Sequence, residues 1–488
     1  MLKGSAWGKH TVTGSTWGAF FSASFFFCIV VITALLVGGI PNLFGVYSWI
    51  VIIGALSMAI LLLLRQDALA LMIVMVVHLY VDWYLVLHLV GLVMIPLLLV
   101  IFFLAQSPRY PWAQPRSLWL WMLFLVLAIE PAIRGALTLY DAMTFYPSNF
   151  MGAFLIFWLG AVIARDGVWV RGFFKLFAIL GVLVAMHTLI QATTGKVLFE
   201  SSRVEAFLST VTYNLNGEAQ RAGSFFVDPN WNGTFLAIMI FLPMALFVES
   251  SSMMKKVLYL GMTFLMVPAL LSTYSSGAWI GVSAGIGAFV ILVGNMRYRL
   301  LMLTFILVVV ISMVVFFPSQ VALQLQHATD SNDLILRTAA WQTALQVIRA
   351  FPLAGVGLGY QAYLLRADPY RVPAQFEPLE HPHNAYLELA AMAGLPVFFL
   401  FLTILLCGLW FAWRNWKIVD AGTRSLIGGG MASVIALSVN SWMINGWTHP
   451  VLGMMGWLIL GVISSPLLER SHKNEAKLEQ TTTDTNKG

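Results

Sequence analysis

Charge is what this chain lacks. Of its 488 residues, 10% are Asp, Glu, Lys or Arg and 60% are hydrophobic, whereas a soluble globular chain carries about 25% charged residues. With a mean hydropathy of +0.85, an ordinary soluble fold is excluded. Cysteine is nearly absent. Cys28 and Cys407 both sit inside apolar runs, which leaves no disulfide framework and no thiolate metal cluster. The alternating segments of about 10 residues that mark a transmembrane barrel are missing. So is GxGxxG: Gly355, Gly357 and Gly359 follow a helical pattern rather than a strand, which argues against a nucleotide site. The net charge of +6 is scattered among loops, so nucleic acid is not an expected partner. No small-x-small cleavage signal precedes Pro41, and the apolar stretch from Phe20 to Val37 reads as a first membrane helix rather than a signal peptide.

What the chain has is apolar runs from end to end. About fourteen (range 12–14) are long enough to span a bilayer as helices. Their approximate extents are 19–38, 47–64, 67–81, 84–105, 117–131, 149–164, 172–190, 231–248, 257–273, 277–294, 300–317, 384–412, 425–443 and 448–467. With the N-terminus placed in the cytoplasm, most of the 27 basic residues fall on the cytoplasmic side, as the positive-inside rule requires. The C-terminus is then cytoplasmic too. The expected organisation is N-terminal membrane helices over 1–190, an outer loop over 191–230 and membrane helices over 231–317. A long outer loop over 318–383 follows, then C-terminal membrane helices over 384–468 and a polar, disordered cytoplasmic tail over 469–488.

The basic residues outside that pattern are Arg134, Lys196, Arg203, Arg221, Arg337, Arg349, Arg366 and Arg371. All but Arg134 lie in the two long outer loops, where topology does not need them. Structure or an anionic ligand is expected to hold them there, whereas Arg134 is expected to tolerate change. The loop over 318–383 is too long for a plain connection. It is expected to fold as a lid, with a helix from Asp333 to Ala350 ended by Pro352 and the glycine run.

The densest chemistry is Glu380-His381-Pro382-His383-Asn384-Ala385-Tyr386-Leu387-Glu388, where that loop meets an apolar run. Ionisable groups at a membrane boundary mark sites of chemistry or transport. Histidine exchanges protons near neutral pH. Glu380, His381 and Glu388 are placed to orient His383 as a general base. A helix-start histidine bonded to backbone, or a His-x-His metal site completed by His449, are the alternatives. Arg221 and Arg337 have the planar fork of donors that suits a diphosphate. Ion pairs with Glu218, Asp228, Asp330 or Asp333 would account for them equally well. Asn230, after Asp228 and Pro229, reads as the N-cap of a helix starting near Trp231. Trp442, Trp447 and Trp457 read as packing or interface residues.

Four stretches in this order resemble the bacterial O-antigen ligase and Wzy-type polysaccharide polymerase superfamily. They are Arg221 to Asn230, Ser272 to Trp279, Arg337 to Trp341 running on to Pro352–Gly359, and His383 to Glu388 followed by Gly394. The resemblance covers roughly residues 215–410. It implies an all-α polytopic GT-C-like glycosyltransferase of the bacterial inner membrane, with a periplasmic active site. The implied donor is an undecaprenyl-diphosphate-linked glycan. The implied acceptor is a second lipid-linked glycan in polymerases or lipid A-core in ligases, with membrane lipids and other polysaccharide-assembly proteins as further partners. No cofactor or metal is implied. The motif histidine maps onto His383 and the motif arginine onto Arg337, with Trp341 and Asn384 in the same motifs. Many family members carry Ser-Arg-Gly where this chain has Ser275-Ser276-Gly277. That departure favours a polymerase or divergent transferase over a ligase, with Arg221 or Arg203 as substitute. A transporter or flippase of lipid-linked glycans, and a non-catalytic assembly subunit, are the rival readings. The first should show internal repeats and charges near mid-membrane, and the second has no need of His383.

Overall fold

The computed structural model describes residues 114–138, 141, 144–195, 214–215, 219–226, 228–292, 296–316, 318–319, 321–322, 331–373 and 381–471. The expected spans before residue 114, together with Lys196, Arg203, Glu380 and most of the tail, lie outside the described residues.

Apolar runs without a polar stripe become helices buried in protein or lipid. The first is α1 (Leu118–Leu127), continued after Ala128 by α2 (Ile129–Gly135). A π-helical stretch (Thr144–Met151) leads into α3 (Gly152–Ile163), and α4 runs from Gly167 to Thr194. Then come α5 (Pro229–Met239), α6 (Phe241–Glu249), α7 (Met253–Leu271), α8 (Ser276–Leu292) and α9 (Met296–Phe316). A 20-residue helix, α10 (Ser331–Ala350), and an 8-residue one, α11 (Tyr360–Ala367), occupy the long loop. The chain closes with α12 (Ala385–Ala393), α13 (Leu395–Ile418), α14 (Ala421–Asn440) and α15 (Pro450–Ile463). Among the described residues, seven helical stretches are long and apolar enough to cross a membrane. The only strands among the described residues are the two-residue pair Asn214–Leu215 and Ala219–Gln220, antiparallel, with Asn214 opposite Gln220.

Two departures from the sequence reading have local causes. The run over 384–412 is two helices, because Gly394 adopts φ +85 between α12 and α13. Its amide still bonds back to Ala390 O, but a Cβ there would stand 2.3 Å from Leu353 O. The helix expected near Trp231 starts at Pro229. Asp228 is its N-cap, accepting from Asn230 N at 2.7 Å, and proline sits in the first turn where its missing N–H costs nothing. Asn230 turns its side chain elsewhere.

Small residues let helices close on one another in a membrane protein. Gly277, Gly281 and Gly285 on α8 face Asn440, the Ala436 carbonyl and the Ala432 carbonyl of α14. Gly160 of α3 and Gly461 of α15 make a second such seam. The helix stretch beginning at Pro450 is wholly buried. Trp457 on it packs against Trp121 and Trp447, each with ring centroids 4.8 Å away. Trp447 is buried with it, whereas Trp442 is exposed.

The helix ends gather at two levels. At one, Arg116 pairs with Glu469, Arg171 meets Glu249 at 2.6 Å, and Ser465 donates to the carbonyls of Ala161 and Ala164. At the other, called the mouth here, Gly135, Ser224, Asp228, Thr273, Asn384 and Ser441 come together with α10 and α11. The glycine run belongs to the mouth as structure. Val356 N and Gly357 N donate to Ala391 O and Met392 O, and Leu358 N donates to Pro131 O. Arg134 donates to Ala354 O at 2.6 Å and Gly355 O at 3.0 Å. Arg134, expected from the sequence to tolerate change, thus joins this loop to α2 through its guanidinium.

Candidate active site

The site is built on the start of α12. Asn384 caps that helix, its side chain accepting from Tyr386 N at 3.0 Å and Leu387 N at 3.1 Å. Ala385 N donates to Ser441 O and Ile444 O in the turn after α14. The two residues before the cap are pinned from the opposite side, where Trp341 of α10 donates to Pro382 O at 2.9 Å. Squeezed between, His383 adopts φ +48, a left-handed conformation that non-glycine residues rarely hold and that concentrates at functional sites.

The rings of His383 and His381 lie 4.0 Å apart between centroids, tilted by 30°. Tyr360 of α11 stands 5.0 Å from His381. Glu388 is fully buried and pairs with His381, not with His383: its Oε2 is 3.2 Å from His381 Nδ1. Its other oxygen accepts from Thr448 Oγ1 at 2.8 Å. Arg337, one helical turn before Trp341, donates to Met443 O at 2.6 Å and stands close enough to act on His383. Burial, then the neighbouring His381, then the Arg337 charge hold the His383 imidazole well below its ordinary pKa of 6.5. At neutral pH it is the free base, with a lone pair able to take a proton.

The second motif region is joined to the first. Arg221 is buried, donating through Nε to Thr273 O at 3.0 Å and through Nη2 to Asn230 Oδ1 at 2.8 Å. It ties the stretches around Asn230 and Thr273 together. Trp231, next in line, donates to Asn445 Oδ1 at 2.8 Å, and Asn445 donates to Tyr360 Oη at 2.9 Å. These hydrogen bonds, with the ring contact of Tyr360 on His381, connect the Arg221 region to the histidines. Ser276 opens α8 beside Gly277, where a Cβ would meet Met443 Cβ at 2.8 Å. Gly277, the residue after Ser276, therefore abuts the residue whose carbonyl Arg337 holds. His449 packs its ring 4.4 Å from Trp231. Among the described residues, no three His, Cys, Asp or Glu side chains are grouped as metal ligands.

Tyr360, Met443, Asn445 and Thr448 were not singled out in the sequence. Each is an ordinary residue of a loop or helix start, and only the meeting of distant segments gives it a role. The nearest signal was their placement at the ends of apolar runs on the side that holds His383.

The fold and the site define a class: a polytopic helical membrane protein with a polar, histidine-bearing mouth at one level of its helix ends. Residues 261–402 match the family model for O-antigen ligase. The match covers less than a third of the chain, and the resemblance to the O-antigen ligase and Wzy superfamily holds over that stretch. The matched stretch includes Ser272–Trp279, Arg337, Trp341 and His383, and begins after Arg221–Asn230. No curated protein matches the chain. Over residues 261–402 the chain is similar to O-antigen ligases.

Proposed function

We propose that this protein transfers a glycan from an undecaprenyl-diphosphate carrier to a glycan acceptor at the periplasmic face of the bacterial inner membrane. The observation that carries this reading is the strained, left-handed His383 pinned at the start of α12, with Arg337 on the same helix as the Trp341 that pins it. An acceptor hydroxyl oxygen attacks the anomeric carbon of the donor sugar. The new C–O bond forms as the bond to the diphosphate oxygen breaks, the hydroxyl proton passes to His383, and undecaprenyl diphosphate departs. Negative charge grows on the leaving oxygens, and a fixed guanidinium in a water-poor site stabilises it as it appears. Arg337 takes that part, while Arg221 serves by holding the mouth together. No nucleotide is needed, because the donor already carries its leaving group.

Ser276 favours a polymerase or divergent transferase over a ligase within this reading, since the arginine many family members carry is absent there. Purified protein in nanodiscs, given a radiolabelled lipid-linked repeat unit, should yield longer lipid-linked glycans and free undecaprenyl diphosphate. Flipping of the substrate without any new glycosidic bond would move the function to transport.

A further inference from the structure

His383 is the base in the reading above, and what holds it in place is a separate set of groups. Glu388 is 0% exposed. Its Oε1 is satisfied by the Thr448 hydroxyl at 2.8 Å. Its Oε2 makes no hydrogen bond among the described residues, and His381 Nδ1, at an ion-pair distance of 3.2 Å, is the group placed to satisfy it. That same Nδ1 also lies 3.3 Å from the backbone N–H of His383. One ring nitrogen cannot donate to the carboxylate and accept from the amide at once.

Magnitudes decide between the two. A buried acceptor left unpaired costs about 1–3 kcal/mol, more if it is charged, whereas a typical neutral hydrogen bond contributes about 0.5–1.5 kcal/mol. The amide contact, at 3.3 Å, is longer than the usual range. The carboxylate therefore keeps the proton on Nδ1, and the lone pair of His381 is at Nε2. A carboxylate that fixes one imidazole tautomer in this way fixes the ring's orientation with it. The ring it fixes is the one that packs, tilted by 30°, with its centroid 4.0 Å from that of His383.

We propose that Glu388, anchored by Thr448, is a positioning residue that acts through His381 to hold the His383 ring in its reactive orientation. The inference rests on His383 being the base. It assigns to a fully buried carboxylate a role in catalysis that neither its burial nor its place in the helix requires.

The test is a double-mutant cycle on the full-length protein in nanodiscs. Glu388→Gln keeps shape and removes charge. It should lower kcat by at least about tenfold, as loss of a group supporting general base catalysis does, with KM for the lipid-linked donor unchanged. In a His381→Gln background the same change should cost nothing further, because both act through one ring. A wild-type kcat for Glu388→Gln, or losses that multiply in full in the double variant, would overturn the proposal. If Glu388→Gln does not fold, by its melting temperature or elution profile, Thr448→Val takes its place. It removes one hydroxyl, should lower kcat in the same direction, and should be recovered by Thr448→Ser; a wild-type rate for Thr448→Val overturns the proposal. Nitrogen-15 spectra of labelled histidine give an answer that needs no activity. His381 should carry its proton on Nδ1, and a proton on Nε2 contradicts the assignment. Absence of transfer by the wild-type protein is a distinct result that counts against the proposed function.

Discussion

The two ends of this helix bundle are built on different principles. Where Arg116 pairs with Glu469 and Arg171 with Glu249, helices start and stop in regular ways. Asp166 and Asp420 cap them by accepting from nearby amides. At the mouth, by contrast, lie Ser224, Tyr274 and His383, the positive-φ non-glycine residues among those described. Gly355, Gly357, Gly359 and Gly394 join them there. Conformations of this kind cost about 1–3 kcal/mol each and persist only where surroundings enforce them. The hydrogen bonds donated by Trp341 and Arg134 and those accepted by Asn384 are that enforcement. One end stabilises the bundle, and the other holds strained backbone in place around a neutral histidine and an arginine.

Substitutions at the two ends should separate accordingly. The largest effect is expected from His383→Ala, which removes the base and should lower transfer by about 10²–10⁴-fold with folding and membrane insertion intact. Quantified product per mole of purified protein checks this. Arg337→Ala should come next. Arg337→Lys should not restore full rate, because an ammonium lacks the paired donor geometry; wild-type output from Arg337→Ala at equal protein level removes the diphosphate role.

The pH profile follows from the sign of the His383 shift. Its pKa in the folded protein lies below 6.5, so the free base persists as pH falls past that value, and the acid limb of the rate should appear only further down. A limb at or above 6.5 contradicts the environment described for it. Stability follows the same sign. As pH falls below 6.5 the unfolded chain takes up this proton before the folded one, so the group withdraws stability there and is neutral above.

How legible this was in the sequence differs along the chain. Apolar runs marked the spans, because a bilayer requires long uninterrupted stretches, and a polar loop meeting such a run marked His383. Arg337 and Trp341 were found because they fall one turn apart on a recognisable helix. The break at Gly394 was not, since the residues on both sides are equally apolar and only φ +85 separates the helices. Asp228 and Asn230 are both good caps, and the choice between them turned on Pro229 entering the first turn. The carboxylate of Glu388 was tied in the sequence to His383 and in the structure to His381, because the helix starting at Ala385 turns it toward Thr448. Thr448 lies 60 residues further on, and no local pattern announces a contact at that separation.

Glycine substitutions sharpen the comparison at a smaller scale. Gly394→Ala should destabilise by about 1–3 kcal/mol or more, since its new Cβ meets the Leu353 carbonyl. Gly172→Ala, inside α4 with nothing within 4 Å of a Cβ, should stabilise by about 0.5–1 kcal/mol. Melting temperatures in one detergent compare the two. The smallest effect is expected from Arg171→Ala, which breaks a partly exposed ion pair and should change stability by no more than about 1 kcal/mol, with transfer unchanged.

The most direct measurement is a side-by-side time course of glycan transfer by wild type, His383→Ala and Arg171→Ala, each folded and reconstituted at equal concentration. Wild type and Arg171→Ala should extend the lipid-linked glycan at the same rate, and His383→Ala should give no detectable product. Transfer by His383→Ala near the wild-type rate, or a loss in Arg171→Ala as deep as in His383→Ala, would contradict the assignment of the chemistry to the mouth.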